Sequence, residues 1–382
     1  MTSLFNATTL QNCVHAIKTL LSSLVSKRNK FSLITFACIS VAVINGCSDG
    51  SPGGGGIGGT GQSLPSGDEG LIIGRVDGFG SIIINDRRFE TNAADILVDG
   101  ETAALTDLQI GMKVSARVNY DTGIAQSVQY QPTVVGTVEN FDSSTSTMLV
   151  LGQYVTLMEK TVLDELTTAS LTDGTAIEVN GDRDGNNVII AEYIKLADDT
   201  EEFYAVGEVD EASPDIAHVA LVSGTLVDFS QLAEESDLSA EAFAETYLTP
   251  GTLLRSSASL ESLLSNDCST LAVTEANSIN EAEGFDGKRC FIADSVKIIE
   301  KAVFTLNDRV EMVGIVSQVR DTSSFVTNDV TVFTDNDTRY FDQFGVPVSN
   351  VAVQQNERVL INGAANRLGR VVADSIVLKD RQ

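Results

Sequence analysis

"IEVNGDRDGNNVIIAEYIKL", Ile177–Leu196, and "VLINGAANRLGRVVADSIVLKD", Val359–Asp380, say nearly the same thing twice. Each holds a short apolar run, an Asn-Gly, a polar stretch, and a second apolar run with an Ala in the same place. β-Branched residues on both sides of a polar turn read as a β-hairpin. One hairpin written twice in a chain is the mark of an internal repeat, and the repeat decides the fold before any motif does.

Working outward, four units emerge. Each opens with apolar-Gly-x-Val, at Ile73–Val76, Val135–Val138, Val206–Val209 and Val313–Val316. Each closes with Ala-x-x-apolar, at Ala125–Val128, Ala191–Ile194, Ala293–Val296 and Ala373–Ile376. The first unit displays the middle as "SIIINDRRFETNAADILVDGETAALTDLQIGMKVSARV", Ser81–Val118. It reads as strands separated by an Asn-Asp turn, an Asp-Gly turn and a Leu-Gln-Ile-Gly link. A unit of roughly 60 residues is too small for a large sandwich, and closing into a small barrel removes its exposed edges. The Gly of each opening strand either allows the bend or bulge that closure needs or marks a simple turn. The expectation is an all-β chain of tandem small OB-like barrels, with repeats at 70–131, 132–200, 201–302 and 303–382.

The third repeat is the longest. Part of its excess, "DFSQLAEESDLSAEAFAETYLTPG" at Asp228–Gly251, predicts a short helical insertion. Asp237 or Ser239 would cap it and Pro250-Gly251 would stop it. The rest stretches the final hairpin over Glu261–Arg289. In the fourth repeat, Ile361, Ile376 and one of Val371 and Val372 should face the core, because neighbours in a strand point to opposite faces. Each repeat is expected to keep its own core, the first sharing none with the fourth.

"GFGSIIINDRRFETNAADILVDGETAALTDLQIGMKVSARV", Gly78–Val118, resembles a bacterial domain of unknown function that occurs as tandem OB-like β repeats in secreted lipoproteins. The resemblance is best in the first repeat, looser in the second, and rests mainly on the ends in the third and fourth. It implies fold and exported setting and brings no catalytic residues.

The N-terminus carries Lys27, Arg28 and Lys30 before the apolar run Phe31–Ile44. That run is short for a membrane span and suits the core of a signal peptide. Ile44-Asn45-Gly46-Cys47 then resembles the bacterial lipobox, which implies cleavage before Cys47 and its acylation. An ordinary secretory signal or a membrane anchor is the plainer alternative. Residues 1–46 are thus expected to be a signal peptide with an over-long start, and 47–69 the lipidated Cys and a flexible Gly/Ser tether. Two or more acyl chains hold a protein on a membrane stably. By the same resemblance Ser48 favours the outer membrane, so the expected setting is the cell envelope, as an outer-membrane lipoprotein facing periplasm or cell surface.

With 53 acidic against 25 basic residues the formal charge is −28. Nucleic-acid affinity rests on Lys and Arg displacing counterions, so this balance argues against a nucleic-acid partner. It argues equally against docking on anionic headgroups. Of the five cysteines, Cys13 and Cys38 fall in the signal and Cys47 at the lipidation site. Cys268 and Cys290 remain, and an even pair in an oxidising compartment is expected to form a disulfide.

The mature region holds one histidine, His218, which leaves no multi-His metal site and no convincing catalytic triad. In "NGDRDGNN" the alternate residues Asn180, Asp182 and Asp184, followed by Gly185, fit the first half of a Ca²⁺ loop. The closing bidentate Glu is missing, with Ala191 in its place, and a polar hairpin tip explains the same residues. No cofactor is expected. The function read from the sequence is a non-enzymatic, lipid-anchored envelope protein with a structural or binding role. Its partners would be the membrane, through the lipid, and an envelope protein or glycan. An OB-like receptor for an oligosaccharide or peptide is the alternative, favoured by a cleft of Tyr, Phe and Asn. A carboxylate-based hydrolase is the remote one, and two carboxyls in one cleft at glycosidase spacing would revive it.

Overall fold

The computed structural model describes residues 69–197, 202–212, 218–235, 238–259, 290–299, 304–349, 352–366 and 370–379. All lie in the compact unit spanning Thr60–Gln382. The described strands fall into four circuits of one pattern.

In the second repeat these are β8 (Val134–Asp142), β9 (Thr147–Val150), β10 (Gln153–Asp164), β11 (Ala176–Arg183) and β12 (Ile189–Leu196). β8 pairs with β9, β9 with β10, β10 in parallel with β12, β12 with β11, and β11 with β8. The circuit closes in the order 1-2-3-5-4-1, that of a five-stranded Greek-key barrel of OB type. The other repeats follow it with one strand broken in two. The first has β1 (Glu69–Gly78), β2 (Ile82–Ile84), β3 (Arg87–Phe89), β4 (Asp95–Val98), β5 (Glu101–Thr102), β6 (Lys113–Asn119) and β7 (Ile124–Tyr130). A bridge from Glu90 to Ile124 and the β4–β7 ladder close it. The third has β13 (Glu202–Ala212), β14 (Val219–Val222), β15 (Thr225–Asp228), β16 (Leu253–Ser259), β17 (Cys290–Ile292) and β18 (Ser295–Ile298). The fourth has β19 (Arg309–Asp321), β20 (Ser324–Thr327), β21 (Val330–Phe333), β22 (Arg339–Phe341), β23 (Pro347–Val348), β24 (Arg358–Ala365) and β25 (Val371–Lys379).

Between the third and fourth strands, the first two repeats make only a 3-10 turn, at Leu105–Asp107 and Thr168–Ser170. The third makes two helices there, α1 (Ser230–Glu235) and α2 (Ala240–Tyr247). Ser239 caps α2, its Oγ accepting from the Ala242 N–H at 3.2 Å, while Asp237 lies outside the described residues. Phe243 of α2 packs on Phe229 and edge-on to His218, closing the barrel end with apolar rings.

The opening glycines are places of close approach. The turn after β2 has positive φ at both Asn85 and Asp86, and the turn after β20 at Asn328 and Asp329, the primed geometry that hairpins prefer. Each Asn amide folds over the first strand and donates to the carbonyl before the glycine, Asn85 to Ile73 at 3.0 Å and Asn328 to Val313 at 3.2 Å. A Cβ on Gly74 or Gly314 would collide with that amide. In the opening hairpins, Asn180-Gly181 and Asn362-Gly363 lie inside β11 and β24. Register there slips from Asn180↔Tyr193 to Gly181↔Ala191 and from Asn362↔Ser375 to Gly363↔Ala373. Each slip is a bulge with one extra residue, Glu192 or Asp374, on the facing strand.

The expectation of a separate core for each repeat is corrected by the structure. The first half of each opening strand pairs with the fourth strand of its own repeat and leaves its other edge free. That edge is covered by the opening strand of another repeat: β1 runs parallel to β19 over Gly70–Ile73, and β8 antiparallel to β13 at Val134 and Val135. The first and fourth repeats therefore share one 14-stranded sheet, and the second and third an 11-stranded one. Leu71 and Ile73 join Val310, Met312, Ile361, Val371 and Ile376 in the core of the fourth repeat. The cores of the second and third are continuous, and Tyr193 of the second enters the core of the first. The physical reason is visible in β1: paired on both edges and buried on both faces, its run Leu71-Ile72-Ile73 has no solvent side.

Candidate functional site

Residues of all four repeats line a half-open cavity of about 750 Å³. One wall is the outer face of β6 and β7. Alternation puts Val114, Ala116 and Val118 in the barrel core and turns Lys113, Ser115 and Arg117 outward. Ser127 and Gln129 of β7 stand opposite Arg117 and Ser115. The other walls come from Asn180–Arg183 of β11, from Arg255 and Lys297 of β16 and β18, and from the Asn328-Asp329 turn.

The charges are enriched in cations relative to the chain: Lys113, Arg117, Arg183, Arg255 and Lys297 against Asp99, Asp182, Glu208 and Asp329. Most are engaged across repeat boundaries. The Lys113 ammonium pairs with Asp182 and donates to the Asn328 side chain, joining three repeats at one nitrogen. Its backbone N–H donates to Asn180 Oδ1 at 2.8 Å. Burial pushes the Lys113 ammonium down to about 8, against the pull of the Glu192 carboxylate. Arg255 donates to Asp99 at 2.7 Å and lies 3.6 Å over the Tyr204 ring. Arg117 reaches Asp308 at 3.2 Å, and Arg183 donates to the Val206 carbonyl at 2.9 Å. Beyond the lining, Arg358 holds Glu192 at 2.6 Å and Arg87 holds Glu311 at 2.5 Å, again between repeats. Burial still raises the Glu311 carboxyl above its ordinary range, with Arg87 opposing.

The structure brings two of the three Ca²⁺ candidates to this cavity and gives all three to protein donors. Asn180 Oδ1 accepts from Lys113, and Asp182 holds the Lys113 ammonium. Asp184 accepts from the N–H groups of Asn186 and Val188 at 2.8 and 3.0 Å, tying its own hairpin tip. Among the described residues no group of three or more His, Cys, Asp or Glu is placed to hold a metal. His218 lies away from the cavity lining, against Phe243. Cys290 opens β17, while Cys47 and Cys268 lie outside the described residues. Sequence reasoning missed Lys113, Arg255, Lys297 and Asn328. Alternation assigns the first three to an outward face, and nothing local says that another repeat covers it. Asn180 reaches the cavity, but among the described residues no Tyr or Phe lines it.

Interlocked five-strand barrels around a shared cavity of mixed polar and apolar lining define the class. The family described as "Domain of unknown function (DUF5666)" matches residues 135–195 and 313–377, so a domain of unknown function occurs here in tandem. These matches are the second and fourth circuits, whereas the sequence resemblance is best in the first. Comparison with curated proteins finds no match.

Proposed function

We propose that this chain is an exported, lipid-anchored protein of the cell envelope that works without catalysis, as a binding or structural body. The observation that carries this reading is the cavity: its charged groups are committed to one another across repeat boundaries, Lys113 to Asp182 and Arg255 to Asp99. Such pairs tie the first barrel to the second and third and commit much of the lining charge to holding the repeats together. The lipobox-like Ile44–Cys47, the Gly/Ser stretch after it and the −28 charge support an exposed, membrane-tethered setting. The test has two parts. Cys47→Ser should move the protein from the membrane fraction to the soluble one with a loss of acyl mass. Pull-down with the intact lipidated protein should recover an envelope component. A Cys47→Ser protein that stays in the membrane at unchanged mass refutes the anchor.

A receptor for an oligosaccharide or peptide is the second reading. The cavity volume favours it, since about 750 Å³ falls within the range of small-ligand sites.

A further inference from the structure

The floor of the shared cavity has a chemistry of its own. It is the outer face of β6 and β7, where Ser115, Ser127 and Gln129 stand between Lys113 and Arg117. Each of those three side chains can both donate and accept, and none makes a side-chain hydrogen bond among the described residues. Lys113 and Arg117 lie on one strand, roughly 13 Å apart at the ordinary rise, so the floor is longer than a single sugar ring.

The backbone of this floor is already used. β6 is paired with β1 and β7, and β7 with β6 and β4. A peptide recognised by strand pairing finds no free edge here. The floor presents side chains alone: hydroxyls and an amide in the middle, cations at the ends and, on the other walls, Arg183 and Arg255.

Charge and the lack of aromatic rings narrow the ligand further. The described lining carries more cations than acids, on a chain with 53 acidic and 25 basic residues. Charges beyond about 8 Å are largely screened at physiological ionic strength, so a ligand inside meets the lining rather than the distant acidic surface. Arg255 gives Nη1 to Asp99 and Arg117 gives Nη1 to Asp308. A guanidinium has several N–H donors, so one carboxylate does not exhaust it. The chain has no Trp, and among the described residues no Tyr or Phe lines the cavity. The apolar face of a neutral sugar therefore has no ring to stack on, and affinity must come from charge and hydrogen bonds.

We propose that the cavity binds a short acidic oligosaccharide of the uronic-acid type. Its carboxylates meet Arg117, Arg183 and Arg255, and its hydroxyls exchange hydrogen bonds with Ser115, Ser127 and Gln129. The proposal rests on the receptor reading above, to which it gives a ligand class, and is independent of the anchor.

The probes are the trisaccharides of galacturonic and glucuronic acid, the neutral galactose trisaccharide, and triglutamate. Each is titrated calorimetrically into the intact protein in detergent. Saturable binding of an acidic trisaccharide is expected, at least tenfold tighter than that of the neutral trisaccharide or of triglutamate. Arg117→Gln should weaken it at least tenfold and Gln129→Ala at least threefold. Gln129 is exposed, so its truncation leaves the fold intact and the test does not depend on how Arg117→Gln folds. Equally tight binding of the neutral trisaccharide or of triglutamate overturns the acidic sugar, and its loss in Gln129→Ala would leave the receptor reading standing. Acidic-sugar binding indifferent to Gln129→Ala overturns the proposal, because it then lies away from this floor. Absence of saturable binding by every probe overturns the proposal and the receptor reading together.

Discussion

Gly70→Ala isolates the contact that makes the first and fourth repeats one body. Gly70 is buried in β1, opposite Arg309 of β19 on one edge and Val118 of β6 on the other. A Cβ there would sit 2.7 Å from the Arg309 carbonyl carbon and 2.9 Å from its nitrogen, where ordinary contact begins at 3.4 Å. Backbone atoms cannot swing away, so the two strands must part by most of an ångström. Backbone hydrogen bonds near 2.9 Å then stretch past useful geometry. Losing about two of them costs roughly 2 kcal/mol. Loosening Leu71 and Ile73, both nearly buried against the fourth core, adds on the order of 1–2 kcal/mol. The expected loss is therefore about 3–4 kcal/mol, read by urea unfolding. Hydrogen exchange should rise in β1 and β19 together and leave β14 and β15 unchanged. Gly78→Ala is the control in the same strand: its Cβ would meet only the Ile83 Cδ1, at 3.4 Å. A Gly70→Ala protein within about 0.5 kcal/mol of the parent, or one that loosens the first repeat alone, refutes the shared sheet.

Ile376→Ala removes a fully buried side chain from the fourth core and should cost on the order of 2–5 kcal/mol. Because Leu71 and Ile73 share that core, limited proteolysis should open β1 as well, and a first repeat that survives untouched would contradict the shared core. Lys113 supplies a pH signature. Its folded value of about 8 lies below the ordinary lysine range, so between about 8 and 10 the unfolded chain binds the extra proton and stability rises with pH. From pH 8 to 9.5 the gain is at most about 2 kcal/mol, and Lys113→Met should abolish it in urea titrations. Above pH 10 the buried tyrosines Tyr120, Tyr193 and Tyr204, all held well above their ordinary range by burial, reverse the trend. For the cysteines, intact mass should rise by two protons on reduction, and thiol labelling of Cys290 in the native protein would count against the Cys268–Cys290 bond.

The strands and their turns were legible in the sequence because their causes are local. Alternation in "KVSARVN" places Val114, Ala116 and Val118 inside, the Asn-Asp turn at Asn85 adopts the left-handed backbone its residues allow, and Ser239 caps a helix. The repeated hairpin revealed the repeats, and a unit too small for a sandwich pointed to a small barrel, while the order of strands around it came from the ladders of the structure. The partner of each opening strand was not legible. The free edges of β1, β8, β13 and β19 are backbone of the same kind, and periodicity cannot distinguish them. That choice is made by contacts far apart in the chain, such as Gly70 against Arg309 and Lys113 between Asp182 and Asn328. The cavity follows from the same choice: an outward-facing Lys113, Ser115 and Arg117 is solvent surface for a lone barrel and becomes a cavity wall only when residues of three other barrels stand around it.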